Sequence, residues 1–441
     1  MTELKDQLRE SGVVGAGGAG FPTHVKAAAT AEFVIANGAE CEPLLQKDRE
    51  LLKAFPAEFL DGLEKMTRAV GARQGIVAVK AKHEGVVSLY SRLLKDRPRL
   101  RLCPLGDFYP AGDEFCLVHE VTGRLIPPGG IPIQVGVVVD NVETLYNVSR
   151  ADREPVTETF LTVAGAVAKP CTLRLPVGAS FADAIRLAGG PKTASPVALD
   201  GGAMMGRVVE DMTEPVTKTT GGLIVLGAEH SLVRRKSAPR KQISRIGRSA
   251  CDQCSFCTEL CPRYLLGYPV QPHRVMRSLG MCGAEGKPLS EWSLLCCECS
   301  LCSLYSCPES LDPRNVCVAA KGDLREAGAG WKESLNAGKE PSVHPMREFR
   351  KIPLESLIKR LGLWDYQVEA PLLREPVSLA KVRIPLKQGL GSPAVPVVSV
   401  GQKVRRGQLL GEIPEGELGA RVHASIDGVV KSVDRCVTIE T

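Results

Sequence analysis

CDQCSFCTELCP, residues 251–262, and CCECSLCSLYSCP, residues 296–308, carry the reading of this chain. Each holds Cys-x2-Cys-x2-Cys and closes on Cys-Pro. The last gap is three residues in the first run, Cys257 to Cys261, and four in the second, Cys302 to Cys307. Such spacing lets one short loop offer three sulfurs to the corners of an iron–sulfur cubane, while the proline turns the fourth cysteine away. Zinc is the alternative, because thiolates two residues apart also suit a tetrahedral ion. A third cysteine and a terminal Cys-Pro in both runs favour two 4Fe–4S clusters.

In two-cluster ferredoxins the fourth cysteine of each run serves the other cluster. That pattern assigns Cys251, Cys254, Cys257 and Cys307 to one site, and Cys296, Cys299, Cys302 and Cys261 to the other. Cys297 reads as a spare thiol. Cys41, Cys103, Cys116, Cys171, Cys282, Cys317 and Cys436 read as small core residues.

The chain has 441 residues, 44% of them hydrophobic and 24% charged, which suits three or four packed domains. Sixteen cysteines with no apolar leader point to metal ligation in the cytoplasm and away from a disulfide framework. A net charge of +6, spread along the chain, gives no basic stripe for nucleic acid. No apolar run reaches membrane-spanning length, and the longest, Ile131 to Val139, reads as a buried strand. Leu4 and Leu8 share one face of an N-terminal helix, which either docks on a shell or partner protein or packs on its own domain.

The pattern predicts a multidomain α/β and α+β chain. Residues 1–155 alternate strand-like and helical runs, as in an α/β layer domain. In 156–235, TFLTVAGAV and TLRLPV read as a hairpin, followed by a short helix capped by Ser180 and stopped by a Gly pair. The basic stretch SLVRRKSAPRKQISRIGRS reads as a solvated linker into the cysteine region, 240–330. A polar linker at 331–375 leads to a β-rich end, 376–441, with the rhythm of a small barrel or sandwich made of two half-units.

Gly15, Gly17, Gly18 and Gly20 form G-x-G-x-x-G, with Glu40 and Glu42 about where a Rossmann domain keeps its ribose-binding acid. The charged helical segment ahead of the loop leaves little room for the strand a Rossmann unit needs. Glycines still let backbone N–H groups approach an anion, with a helix beginning near Pro22 behind them. A Gly-rich turn without a ligand is the alternative.

GAGGAGFPTHVK, NGAECEP and DNVET resemble the FMN- and NADH-binding subunit of respiratory complex I and the RnfC component of Rnf complexes. YPAGDE, DGGAMMG, EPVTKTTGG, both cysteine runs and HASIDGVV extend the likeness from end to end, to the cobalamin reductases of propanediol-utilisation microcompartments. That resemblance implies an FMN/NADH domain, a β-grasp ligand-binding module, a helical two-cluster ferredoxin-like domain and a C-terminal barrel-sandwich domain. It places Gly15 and Gly18 against FMN, Lys26 at the flavin phosphate, and Phe21 on the nicotinamide. It makes Asn37 and Glu40 flavin contacts, Glu42 an NADH contact, Asn141 and Thr144 polar holders of FMN, and Gly112, Asp113 and Glu114 an acidic loop near the nicotinamide. Ala39 and Asp140 depart from the complex I pattern, which has Asp and Asn there. Phe21 as a core aromatic and Lys26 as a solvated helix residue are the structural alternatives. The Ser-Ile-Asp-Gly turn at 425–428 lacks the lysine of lipoyl carriers, and Lys431 reads as a surface residue.

The resemblance implies an NADH-dependent flavo-iron–sulfur reductase that hands single electrons to cobalamin, within or attached to a bacterial microcompartment and near its shell protein. The alternative is an electron-entry subunit that serves a partner protein.

Overall fold

The computed structural model describes residues 3–281, 286–375 and 377–441. Cys282 lies outside them. In the N-terminal domain β1 (Phe33–Gly38), β2 (Gln74–Lys80) and β3 (Leu100–Leu105) run parallel; β4 (Phe108–Tyr109) follows, and β5 (Val137–Asn141) returns to the free side of β1. The order β3-β2-β1-β5 is covered on both faces, which is why the central runs Phe33–Ala36, Ile76–Val79 and Val137–Val139 are apolar. Val34 and Ala36 of β1 face a core with Leu60, Leu63 and Leu145 from helices Pro56–Ala69 and Val142–Arg150. Phe33 and Ile35 face the opposite core, with Leu117 and Val118 of helix Glu114–Thr122.

Only a Val14–Pro22 bridge closes the glycine loop, which joins helix Leu4–Glu10 to helix Thr23–Ala27; no Rossmann strand precedes it, as the charged helical segment ahead of the loop predicts. One expectation is corrected here. Within Ile131–Val139 the strand starts only at Val137, because Pro132–Val135 winds into a 3-10 turn. Leu8 is fully buried in its own domain, so the N-terminal stripe packs inward.

The second sheet joins β6 (Glu158–Gly165), β7 (Cys171–Pro176), β8 (Pro196–Asp200), β9 (Arg207–Val209) and β10 (Gly222–Gly227) in the order β7-β6-β10-β8-β9. The expected hairpin is β6–β7. Ser180 Oγ accepts from Asp183 N at 3.0 Å to cap helix Phe181–Leu187, and Gly189 and Gly190, at φ 81° and 82°, end it.

The basic stretch is no linker. It forms helices Ser231–Lys236 and Arg240–Ala250, and two of its cations bind carbonyls while Arg234, Arg240, Lys241, Arg245 and Arg248 stay exposed: Arg235 reaches Ser303 O, and Lys236 Nζ reaches Met204 O at 2.9 Å and Gly206 O at 2.6 Å. Residues 331–375 are likewise a strap. β11 (Ile352–Pro353) pairs with β4, helix Leu354–Arg360 buries Leu357 and Ile358, and Thr172 Oγ1 of β7 donates to Ala370 O at 2.9 Å. The end of the chain is a sandwich: β12 (Lys381–Pro385), β13 (Val395–Pro396), β14 (Lys403–Val404), β15 (Leu409–Glu412), β16 (Val422–His423), β17 (Gly428–Val433) and β18 (Cys436–Glu440) make sheets β12-β18-β17-β14 and β13-β15-β16. Lys431 is exposed. Among the described residues no helix is long and apolar enough to cross a membrane.

Candidate functional site

The chain leaves β1 toward β2 and β3 on one side and comes back with β5 on the other. The carboxyl ends of β1 and β5 therefore flank the switch point where open α/β sheets hold ligands. Asn37 and Asn141 stand there in register. Asn37 Nδ2 donates to Gly112 O at 3.0 Å, which draws the acidic loop to the crevice. Asn141 Oδ1 accepts from Glu143 N at 2.9 Å as a helix cap, and its Nδ2 donates to Asp48 at 2.7 Å.

The glycine loop lies beside these strand ends. Ala16 N donates to Thr144 Oγ1 at 2.9 Å, and Lys47 Nζ donates to Ala16 O at 3.0 Å and to Glu143 Oε2 at 2.9 Å. Gly15 N donates to Phe21 O at 2.9 Å, and the Phe21 side chain is half-buried. A Cβ on Gly17 would touch Asn141 at 3.4 Å. One on Gly18, at φ 116°, would meet nothing within 4 Å, so Gly18 presents bare backbone to open space. Three buried oxygens on the surrounding elements lack a hydrogen-bond partner, Thr23 Oγ1, Asp48 Oδ1 and Asp140 Oδ2, although Asp48 Oδ1 lies 3.8 Å from Lys47 Nζ. Open backbone, orphaned polar atoms and amide side chains fit a flavin.

Other expected contacts are already engaged. Lys26 Nζ pairs with Asp140 at 3.2 Å and also donates to Val139 O, with Glu114 close enough to support its charge. Burial raises the Glu114 carboxyl, with Lys26 opposing. Glu40, at φ 26°, accepts from Asp48 N at 2.7 Å and Arg49 N at 3.2 Å. Burial and the neighbouring Asp48 push the Glu40 carboxyl up to about 7. Glu42 accepts from Met204 N and Met205 N, both at 2.8 Å, so its carboxylate clasps the β-grasp module. Gly20 meets the C-terminal sandwich: a Cβ there would lie 2.5 Å from Gly389 Cα.

The two cysteine runs share one backbone recipe. Gln253 and Ser255 in the first, and Glu298 and Ser300 in the second, hold left-handed φ values of 57°, 69°, 60° and 66° at equivalent positions. Each costs roughly 1–2 kcal/mol, so a repeated strain of this kind marks a wrapped loop held for its ligand. The extra residue of the second run is absorbed by a π-turn at Cys302–Ser306, where the first run makes an α-turn at Phe256–Glu259. Cys251, Cys254, Cys257 and Cys307 line one cavity; Cys261, Cys296, Cys299 and Cys302, joined by Cys297, line another. Among the described residues no group of three or more Cys, His, Asp or Glu side chains closes around a single metal-ion position. Burial pushes the Cys257 thiol up to about 12 and raises those of Cys261 and Cys302, so loading a cluster must displace protons.

Two contacts absent from the sequence reading join the crevice to the clusters. Arg263 Nη2 donates to Asp113 Oδ1 at 2.7 Å, and Tyr109 Oη donates to Cys299 O at 2.9 Å. Asp113 also caps helix Glu114–Thr122 through Cys116 N at 3.2 Å. These partners are 150 and 190 residues apart, and no local pattern announces them. The spare thiol Cys297 sits near Arg263.

Four family descriptions match in chain order: the Nuo51 FMN-binding domain at 8–150, the SLBB domain at 160–208, the 4Fe–4S dicluster domain at 250–312 and the RnfC barrel sandwich hybrid domain at 371–441. Among solved structures, an NAD+-reducing NiFe hydrogenase chain in the air-oxidized state is similar, with TM-score 0.50, 20% identity, and coverage of 83% of this chain and 67% of that one; the likeness is one of fold. The RnfC-type component of the Na+-translocating ferredoxin:NAD+ oxidoreductase complex of Acetobacterium woodii is 32% identical over 59% of this chain and 58% of its own length. Cobalamin reductase PduS of Salmonella typhimurium is 41% identical, covering 99% of this chain and 96% of that one, and PduS of Citrobacter freundii is 39% identical with the same coverage. With 41% and 39% identity to these two proteins across 99% of its length, this chain belongs to the cobalamin reductase PduS family.

Proposed function

We propose that this protein passes electrons from NADH through FMN and two 4Fe–4S clusters to cobalamin, returning oxidised corrin cobalt to the state a B12-dependent diol dehydratase uses. The observation that carries this reading is the crossed arrangement of the two cysteine quartets around separate cavities, next to a flavin crevice to which Arg263 is tied. FMN held at this crevice would supply the conversion of a two-electron hydride into single electrons, and clusters held by the two quartets would supply one-electron transfer.

The chain's own residues bind and orient. Gly15, Gly17 and Gly18 bring backbone close to the flavin, Asn37 and Asn141 supply amides at the strand ends, and Thr144 holds the loop through Ala16. Phe21 offers a ring to the nicotinamide. Lys26 balances Asp140 beneath the site, leaving the phosphate to backbone N–H groups. Asp113 and Arg263 fix the cluster module against the flavin domain. No side chain acts as nucleophile or general base.

The protein is proposed to work in the cytoplasm, at or within a microcompartment, with a shell protein as neighbour. The 32% identity to the Acetobacterium woodii oxidoreductase component supports a second reading, in which the acceptor is a partner protein. Anaerobic NADH oxidation with cob(III)alamin or cob(II)alamin as sole acceptor decides between them. Steady turnover supports cobalamin; turnover only with added ferredoxin-type protein supports the second reading.

A further inference from the structure

A large cavity that shares no lining residue with the flavin crevice opens against the cluster loops. Its volume is about 430 Å³, and it lies between β9 of the β-grasp module, helix Arg240–Ala250 and the second cysteine run. Ser300, Ser303 and Leu304, which interleave with Cys299 and Cys302, form one wall; Glu309 and Ser310, just past Cys307, continue it. One cavity thus touches the loops of both cysteine quartets.

Its chemistry is mixed. Met205 and Ile246, 51% and 39% exposed, set two large apolar side chains at its edge. Isolated exposed apolar residues are ordinary, but two that line one cavity form a platform. Gln242 is exposed one helical turn before Ile246 and adds an amide. Arg235 and Lys236 also line the cavity, each anchored on backbone carbonyl oxygens: Arg235 on Ser303 O, Lys236 on Met204 O and Gly206 O. Four cations, Arg207, Arg235, Lys236 and Arg314, and two acids, Glu309 and Asp312, line the cavity, so its wall carries a net positive charge.

We infer that this cavity, bounded by Met205, Arg235, Lys236 and Ile246, is where the corrinoid docks to receive electrons. The inference rests on the cobalamin reading above and gives it a location. A corrinoid has a broad apolar face, a rim of amides and one anionic phosphodiester. The platform meets the first, Gln242 and the serines the second, and Arg235 with Lys236 the third. The electron count closes: NADH yields NAD+, one proton and two electrons, and two aquacob(III)alamins each take one electron and release water to become cob(II)alamin. A further electron per cobalt gives cob(I)alamin, and no bond to protein forms.

The test uses the full-length holoprotein with hydroxocobalamin as probe, read by equilibrium dialysis as well as by NADH-driven reduction. Ile246→Glu and Met205→Gln change exposed side chains away from the flavin crevice. Each is expected to weaken hydroxocobalamin binding by about tenfold, from lost apolar contact, while NADH:ferricyanide turnover and iron content stay at the parent level. Parent-level binding in both variants, with a wild type that binds and reduces cobalamin, overturns the location and leaves the functional reading standing. A wild type that neither binds nor reduces cobalamin overturns the reading and the location together.

Discussion

Arg263, two residues beyond Cys261, donates from Nη2 to Asp113 Oδ1 at 2.7 Å, and both side chains are about nine-tenths buried. The pair ties the cluster module to the acidic loop that Asn37 holds at the flavin crevice. Arg263 also stacks over Phe115 at 3.5 Å, so a lysine could replace its charge but not its packing.

Removing one partner strands the other charge. Arg263→Met is expected to destabilise the fold by about 3–5 kcal/mol in denaturant unfolding. Because the contact sets how the two modules meet, stopped-flow reduction of the clusters by NADH should slow more than reduction of the flavin. Equal slowing of both phases would show that the pair supports stability alone.

Lys47 and Glu143 form a second buried pair, 2.9 Å apart, under the glycine loop. Burial disfavours the ammonium, yet Glu143 and Asp48 hold the Lys47 pKa above its usual value. Glu143 also accepts from Thr159 Oγ1 at 2.8 Å and Phe160 N at 3.0 Å, so loop and β-grasp module share this carboxylate. Lys47→Met should cost about 3–5 kcal/mol and loosen flavin retention. Isothermal titration with FMN, beside a melt, checks both.

Lys218 supplies a pH signature. Its Nζ donates to Gly12 O at 2.7 Å and Arg421 O at 2.9 Å, joining three parts of the chain, and burial pushes its pKa down to about 7. Between about pH 7 and the usual 10.5 the unfolded chain binds the proton that the folded chain has lost. Stability from this group therefore rises with pH across that window, by at most about 1.4 kcal/mol per unit, and the full cost of the buried charge is borne below pH 7. Lys218→Met should flatten the rise in a series of melts from pH 6.5 to about 9.5. Parallel curves for the two proteins would refute the assignment.

Gly18 and Gly20 separate ligand from packing. Gly18→Ala places a methyl in open space at φ 116°, and Gly20→Ala drives one to 2.5 Å from Gly389 Cα. Gly18→Ala should lower FMN affinity with a stability loss of about 1 kcal/mol, whereas Gly20→Ala should cost more stability by displacing the C-terminal sandwich. The two FMN titrations and melts, taken together, show whether the effects sort this way.

The cysteine runs were legible because three cysteines of each cavity lie within seven residues, and local spacing is chemistry. The Ser180 cap and the Gly189–Gly190 stop were legible for the same reason. The basic stretch at 231–249 and the strap at 331–375 misled because their partners are distant carbonyls and buried faces: Lys236 reads as a solvated charge until Met204 O and Gly206 O are brought beside it. Glu42 came from the resemblance as an NADH contact, and its bonds to Met204 N and Met205 N, across 162 and 163 residues, had no local signal. Asn37 and Asn141 came from resemblance, and the strand order shows the physical reason for their meeting.

The crossed ligation of two cubanes is the claim on which the electron path depends, and Cys307→Ser tests it. Anaerobically purified wild type should hold iron and labile sulfide in equal amounts, four of each in each of two clusters. The variant should lose the cluster of Cys251, Cys254 and Cys257 while the EPR signal of the other, held by Cys261, Cys296, Cys299 and Cys302, persists. Zinc in place of iron, or loss of the other cluster's signal instead, would contradict the account.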